Sequence, residues 1–373
     1  MTRALIVHSG NMLGGVETVL TALARLARTH ETLALEFALA FEGPLADGLR
    51  AEGAPVVIIG PARFSRPLEM RGMRRRLTEH LATAPPDVVL TQSVWSHLAL
   101  GSVVRKAGLP LALWVHDVLD GKHWLQWMAA RVRPDLLICN SRFTASAASS
   151  VFPRVPAVVV YAPLAPAPLD TAHRDQIRRE TETPADAVVV LQVGRTDPLK
   201  GHAVLFDALQ QLPHDGTWVC WQVGAPQNTR EEKYWRAMAV RVRDAGLDTQ
   251  VRWLGRRSDV ARLLAAADVY CQPNIGPEAF GLTLAEALGA GLPVVTSRLG
   301  AAPEIVSDAD GVLLPPGDSG ALASALAALL KDRGRRRALG AHGPARVAAL
   351  CDPETSFATL AAALDRLRNL RAA

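Results

Sequence analysis

The sequence predicts an α/β protein built from two doubly wound parallel sheets, and three observations carry that reading. The chain has 373 residues, enough for two domains at roughly 100–200 residues each. Short apolar runs alternate with helical stretches, and several runs are continuous, as suits parallel strands covered on both faces. The rhythm breaks once, in a proline-rich stretch, and then restarts.

The expected strands of the first half are Ala4–His8, Leu33–Phe41, Val56–Ile59, Val88–Gln92, Leu111–His116, Leu136–Asn140 and Val158–Tyr161. Between them lie the expected helices Val16–Arg28, Pro67–Ala82, Trp95–Ala107 and Phe143–Val151. Ala162–Pro168 holds three prolines in seven residues and reads as an interdomain linker. After it come strands at Ala187–Val193, Thr217–Val223, Val251–Leu254, Val269–Pro273, Pro293–Thr296 and Gly311–Leu314. The intervening helices are His202–Gln211, Glu231–Ala245, Val260–Ala266 and Gly281–Gly289, and the chain from Ser319 onward reads as helical. This predicts two Rossmann-like domains, 1–168 and 169–351, facing a cleft, with a final helical segment over 352–373. Ligands of such sheets bind beyond the carboxyl ends of the strands.

Composition excludes several classes. With 49% apolar and 21% charged residues, the chain is not disordered. Its four cysteines (Cys139, Cys220, Cys271, Cys351) form no C-x-x-C pair, which excludes a local zinc ribbon and fits a reducing cytoplasm. No apolar run reaches the roughly 18–20 residues that cross a bilayer. The apolar start stops at His8 and reads as a first buried strand, so the expectation is a soluble chain with no export signal. Residues 1–169 hold 17 Lys and Arg against 12 Asp and Glu, whereas 170–373 hold 24 of each, so the net charge of +5 lies in the first half. Much of it is Arg63, Arg66, Arg71, Arg74, Arg75 and Arg76, a field that attracts phosphates. No nucleic-acid recognition motif accompanies it.

Three segments carry chemistry. In Pro277–Pro293, Glu278 precedes a run of helix formers, Glu286 lies inside it, and Gly281 sits near the turn that opens it. The first-turn amides of such a helix favour an anion. Eight helical residues span about 12 Å, which separates the two carboxylates and suits the two ends of an elongated ligand with a phosphate between. Taken alone, the glutamates also fit a first-turn charge offsetting the helix dipole and a surface residue. The second segment, Val193–Gly201, follows a strand and offers Arg195 and Lys200 on a glycine-flanked loop. Arginine gives planar, bidentate phosphate contact and lysine a compact charge. The third, His8–Glu17, places Gly14 and Gly15 between the first strand and helix, where backbone can approach a ligand closely, although paired glycines also make a simple tight turn. Asp308-Ala309-Asp310 spells D-x-D, but Gly311 and an apolar run follow, so it reads as an Asp-Gly turn and not a metal site.

In this order the segments resemble the retaining glycosyltransferases of family 4, with the two-domain GT-B fold. The E-x7-E pair Glu278 and Glu286 is the most specific mark. The loop from Gly194 to Gly201, the turn Gly14-Gly15-Val16-Glu17, Leu254-Gly255-Arg256, Ala267–Pro273 and Cys139-Asn140-Ser141 support it. The resemblance implies transfer of a sugar from a nucleotide-diphosphate sugar to an acceptor hydroxyl, in polysaccharide or glycolipid assembly. It implies that Arg195 and Lys200 hold the diphosphate, Glu286 the ribose, and Glu278 the sugar hydroxyls. Amides around Phe280, Gly281 and Leu282 approach the sugar or phosphate, Gly14 and Gly15 face the diphosphate, and Arg256 lies near the base. His116, at its strand end, reaches the sugar or the reacting centre. Cations and a helix terminus stabilise the leaving diphosphate, so no metal or other cofactor is expected. A front-face departure, with the diphosphate taking the acceptor proton, needs no carboxylate nucleophile.

The expected acceptor is lipid-linked or a small molecule. Arg63–Arg76, with Phe64, Leu68, Met70, Met73 and Leu77 interleaved, is expected either to meet an anionic membrane from the cytoplasmic side or to be a solvated helix face. Trp124 and Trp127 are expected to pack in the core, with contact to an acceptor sugar as the alternative. Asp352-Pro353 is a good helix start, and the helix after it is expected to return to the first domain. The competing functions are a nucleotide-sugar epimerase or phosphorylase on the same fold, and a nucleotide-sugar-binding scaffold without turnover.

Overall fold

The computed structural model describes residues 1–10, 14–165 and 173–372, grouped in two compact units. Met1–Pro163 and Cys351–Ala373 form unit 1, and Leu164–Leu350 forms unit 2. Part of the expected linker, residues 166–168, lies outside the described residues.

Unit 1 holds strands β1 (Thr2–His8), β2 (Leu33–Leu39), β3 (Val56–Ile58), β4 (Val88–Gln92), β5 (Leu111–Val115), β6 (Leu136–Cys139) and β7 (Ala157–Val159). All pair in parallel, in the order β3-β2-β1-β4-β5-β6-β7. Ile6 sits in register between Phe37 and Leu90. Consecutive Leu5, Ile6 and Val7 are all buried, so both faces of β1 are covered, as its unbroken apolar run implies. The helix Pro67–Thr83 turns Met70, Met73, Leu77 and Leu81 into this core. The helix Pro353–Ala372 belongs to the same unit. Asp352 caps it by accepting from Thr355 N at 2.8 Å, and Thr2 Oγ1 donates to its Asp365 at 2.9 Å.

Unit 2 repeats the plan with β8 (Val188–Val193), β9 (Trp218–Val223), β10 (Val251–Gly255), β11 (Val269–Gln272), β12 (Val294–Ser297) and β13 (Gly311–Leu314). The order β10-β9-β8-β11-β12-β13 is again wholly parallel. Leu205, Phe206 and Leu209 from the helix His202–Leu209 pack on Trp218, Val269, Leu322 and Leu326. Full burial of one such side chain contributes roughly 1.5–3 kcal/mol. In both sheets the order reverses beside the first strand, between β1 and β4 and between β8 and β11. Crevices at those switch points, outside the carboxyl ends, are where α/β sheets bind ligands.

Four helices were not expected from the sequence: Pro44–Ala51, Trp124–Ala129, Arg174–Glu180 and Ala302–Ile305. All are short, eight residues at most. Fewer than three turns leave little apolar periodicity to detect, and tertiary packing supplies most of their stability.

Candidate active site

The loop after β8 brings its cation to the end of β11. Asp197 starts a single turn, Pro198–Lys200, by accepting from Leu199 N at 2.9 Å. Gly201 follows in the left-handed region (φ +72°), and a Cβ there would lie 1.8 Å from the Pro273 carbonyl oxygen. Only glycine lets the loop lean this closely on the strand end. Gln192 Nε2 donates to the Lys200 carbonyl at 2.9 Å. Lys200 Nζ is thereby set 2.6 Å from Glu278 Oε2.

Three donors converge on that one oxygen. Besides Lys200, Asn274 Nδ2 donates at 2.9 Å and Gln272 Nε2 at 3.3 Å. Glu278 Oε1 has no partner among the described residues. The backbone of Glu278 is fixed as well, since Ala301 N donates to its carbonyl at 2.8 Å. Gln272, fully buried, accepts on Oε1 from the Tyr270 hydroxyl at 2.9 Å and from Thr283 Oγ1 at 3.3 Å. Tyr270, Gln272 and Asn274 thus form a polar scaffold beneath the Lys200–Glu278 pair. The sequence signal for it was a polar Gln272 closing an otherwise apolar strand and an Asn two residues on.

The helix that follows starts at Leu282, one residue after the expected Gly281, which lies in the left-handed region (φ +94°). Glu278 precedes it in the loop, as expected, but the stretch between Glu278 and Gly281 is not helical, so the helical span of about 12 Å between the two glutamates does not apply. The first intrahelical bonds run from Leu284 N and Ala285 N to the Gly281 carbonyl, ahead of which lie the amides of Leu282 and Thr283. Phe280 is buried (5% exposed), so its ring packs inward. Glu286 is half-buried, with no hydrogen-bond or ion-pair partner among the described residues, and burial pushes its carboxyl up to about 7. Burial raises the Tyr270 hydroxyl, and the charges of Glu286 and Glu278 add to the rise, so both carboxylates act on one phenol. Arg195 is bracketed by Asp197 at 3.2 Å and the buried Glu231 at 3.9 Å, the latter also accepting from Gln227 N at 2.8 Å. Arg256, just past β10, is exposed.

At the switch point of unit 1 the groups differ. His8 ends β1, and its Nε2 lies 3.3 Å from Glu17 Oε1. Gln92 ends β4, and its Oε1 meets His116 Nε2 beyond β5. Burial, with the His8 ring nearby, pushes His116 down to about 3, so it is neutral near pH 7. Neutral imidazole carries one proton, and the contact with Gln92 places it on Nε2 if the amide oxygen faces the ring. Gly14 is extended and precedes the helix Gly15–Ala27, both glycines being exposed. Asn11, Met12 and Leu13, within the glycine-rich segment read from the sequence, lie outside the described residues.

Residues 13–166 match the family Glycosyltransferase Family 4, and residues 173–346 match Glycosyl transferases group 1. One glycosyltransferase model thus matches each half of the chain. A phosphatidyl-myo-inositol mannosyltransferase of Mycobacterium leprae is 42% identical over 167 residues, which is 42% of each chain. A D-inositol 3-phosphate glycosyltransferase of Xylanimonas cellulosilytica is 37% identical over 179 residues, 47% of this chain and 42% of its own. The chain thus aligns with about two-fifths of the length of these curated relatives. HepE of Anabaena, solved with UDP and glucose, superposes with a TM-score of 0.87 at 23% identity, over 98% of this chain and 100% of its own. That likeness establishes the GT-B fold.

Several expectations from the sequence can be compared with the structure. Of the six clustered arginines, Arg74 donates to the Ala99 carbonyl and Arg76 to that of Ile59. Arg66 pairs with Glu69 and Arg75 with Glu79, and Met70, Met73 and Leu77 are core residues. The segment presents Arg63, Phe64, Leu68 and Arg71 outward, not an amphipathic face along its whole length. Trp124 and Trp127 are not in the core, being 57% and 62% exposed. Within D-x-D, Asp310 turns inward to Ser307 and Arg346, and Asp308 points to solvent. No helix among the described residues is long and apolar enough to cross a membrane.

Proposed function

We propose that the chain is a retaining, metal-independent hexosyltransferase. It moves a sugar from a nucleotide-diphosphate sugar to a hydroxyl of a lipid-linked or small-molecule acceptor, in glycolipid or polysaccharide assembly. The observation that carries this is the convergence on Glu278, ahead of the helix Leu282–Gly289 and with Arg195 on the same loop as Lys200, at the switch point of unit 2. Lys200 is oriented by one hydrogen bond to Glu278 and keeps two further N–H donors for a phosphate. Arg195, between Asp197 and Glu231, supplies a second fixed cation. Charge grows on the leaving diphosphate, and cations already in place cost no reorganisation at that moment. Glu278 is neutralised through Oε2 and leaves Oε1 to accept from sugar hydroxyls. A carboxylate so engaged is a poor nucleophile, which favours front-face departure over a glycosyl-enzyme. Glu286, next to the donor helix start, accepts from the ribose hydroxyls in its ionised form.

The comparisons support the classes of donor and acceptor. HepE was solved with UDP-glucose, and the curated relatives are named for mannosyl transfer to phosphatidyl-inositol and for inositol 3-phosphate. We place the protein in the cytoplasm, peripheral to the inner face of the membrane. Leu68 and Arg71 supply the outward apolar and basic groups for that contact. Cosedimentation with anionic vesicles at low salt, lost at high salt, is the expected outcome. The donor assignment is tested by thermal shift with UDP-, GDP-, ADP- and dTDP-sugars, with and without EDTA. One nucleotide should stabilise by about 2.7 kcal/mol at a hundredfold excess over Kd, unchanged by EDTA. A shift abolished by EDTA, or a glycosyl group trapped on any Asp or Glu, would overturn the metal-free, front-face reading.

A further inference from the structure

Among the described residues nine large apolar side chains are exposed, and four of them (Phe64, Leu68, Trp124, Trp127) belong to two segments of unit 1. Three aromatics meet there. The Phe64 ring lies 5.2 Å from Trp95, inclined at 57°, and 6.3 Å from Trp124, inclined at 69°. Inclined faces of this kind make a corner, with half-buried Trp95 as its floor. Trp127, one turn beyond Trp124, already has a face covered by the Arg131 guanidinium at 3.9 Å.

The corner's place in the fold gives it meaning. Phe64 lies in the loop after β3, Trp95 in the first turn of the helix after β4, and Trp124 opens the helix after β5. These strands are parallel, so all three aromatics stand at the carboxyl edge of the sheet, the same edge as His8, Gln92 and His116. Solvent-exposed aromatics cost free energy unless something covers them, and clustered exposure at a ligand edge marks a binding groove. Two cations flank the corner in sequence, Arg63 beside Phe64 and Lys122 before Trp124. Neither side chain has an ion-pair partner among the described residues, and both are exposed.

We propose that Phe64, Trp95 and Trp124 form an acceptor subsite that stacks a hydroxylated ring, with Arg63 and Lys122 meeting a phosphate attached to that ring. The C–H face of a sugar or cyclitol ring is apolar enough to cover an indole, while its hydroxyls stay at the rim for hydrogen bonding and reaction. Inclined rings grip such a compact body from two sides. The subsite deepens the glycosyltransferase reading by naming the acceptor class, and it rests on that reading.

The test uses the full chain and the quenching of exposed tryptophan fluorescence. The probes are a soluble ring phosphate, myo-inositol 1-phosphate or glucose 6-phosphate, and vesicles of phosphatidylcholine with and without phosphatidylinositol. Binding of one of these ring phosphates to the wild type, weakened about tenfold or more in Trp124→Ala and in Phe64→Ala, is the expected result. Arg63→Ala together with Lys122→Ala should weaken the phosphorylated ring but not its unphosphorylated parent. Binding of the soluble probes assigns a free polyol phosphate, and binding confined to phosphatidylinositol vesicles assigns the lipid headgroup. Donor-induced thermal shift is recorded on the same variants. If it persists while Trp124→Ala leaves ring-phosphate affinity unchanged, or if no probe binds the wild type, the subsite is wrong and the donor reading stands. If ring phosphates bind through the corner but no nucleotide sugar shifts the melting, the donor reading fails instead. Equal loss of binding to vesicles lacking phosphatidylinositol would show a general membrane contact and overturn the subsite.

Discussion

At the carboxyl edge of β8 and β11, a lysine, an asparagine and a glutamine converge on one oxygen of Glu278, and an arginine stands between two acids. At the same edge of β1 and β4, a neutral histidine, a glutamine and a His–Glu contact sit near an exposed aromatic corner. The strand order around the two switch points is the same. What differs is the side chains on the loops, so the chemistry of each unit is decided by a few residues per loop and not by the sheet. Unit 2 gathers paired charges at this edge, whereas unit 1 gathers neutral polar groups and exposed aromatic rings.

The sharpest way to break that contrast is to remove one polar side chain from each edge. Lys200→Ala deletes a fixed cation and leaves Glu278 partly buried without its counter-ion. Turnover should fall by about 10²–10³-fold, and stabilisation by the nucleotide sugar should shrink with it. His116→Ala removes a group that is neutral near pH 7. Its effect should be smaller and should leave the pH–rate profile unchanged in shape between pH 5 and 8. Equal losses from both variants would place charge stabilisation at both edges and end the comparison.

The strands were legible in the sequence because buried parallel strands are unbroken apolar runs. Val88–Gln92 and Gly311–Leu314 match residue for residue, and most others to within one or two. The pairing of Lys200 with Glu278 was not legible. The two are far apart in sequence, and their meeting depends on the close approach of Gly201 to Pro273, a backbone contact that no local pattern announces. The register of the E-x7-E pair was misplaced for a related reason. The helical spacing assumed for the pair treats the chain from Glu278 onward as helix, but the helix begins only at Leu282, after the left-handed Gly281. The aromatic corner was hidden because the segment holding Trp124 and Trp127 has the composition of a core segment, and only the tertiary structure shows that both side chains are largely exposed.

Stability should separate the units too. Arg178 is 3% exposed and donates to Asp268 at 2.6 Å and to the Ala187 carbonyl at 2.8 Å. Arg178→Met leaves that buried carbonyl without its side-chain donor and Asp268 with only Arg174 as counter-ion, and should cost about 3 kcal/mol. Calorimetry should show one transition lowered, that of unit 2. Acid should act mainly on the other unit. Burial pushes His97 down to about 4 and His116 to about 3 in unit 1. Their folded values lie below the ordinary 6.5, so the stability they carry is present above pH 6.5 and is lost as pH falls towards 4 and 3. In unit 2, His202 is likewise pushed down to about 4, but Glu286 is pushed up to about 7. A carboxyl raised in this way destabilises above its unfolded value, so acidification from pH 7 towards 4.5 restores stability there. The unit 1 transition should therefore fall clearly more than that of unit 2 between pH 7 and 5. Glu286→Gln should remove the opposing trend in unit 2.

The smallest effect gives the finest test of how the chain is divided. Two late helices carry aspartate caps of the same design. Asp318 accepts from Ala321 N at 2.8 Å at the start of Ser319–Lys331, and Asp352 accepts from Thr355 N at 2.8 Å at the start of Pro353–Ala372. Removing either cap should cost about 1 kcal/mol. The caps lie only a few dozen residues apart in sequence, yet the first helix packs in unit 2, whereas the second packs on β1 in unit 1. Asp318→Ala should accordingly lower the transition that Arg178→Met lowers. Asp352→Ala should lower the other one, the transition sensitive to the titration of His97. If both variants moved the same transition, the last helix would not be part of the first unit's cooperative structure. Its hydrogen bond from Thr2 to Asp365 would then be a surface contact without energetic weight.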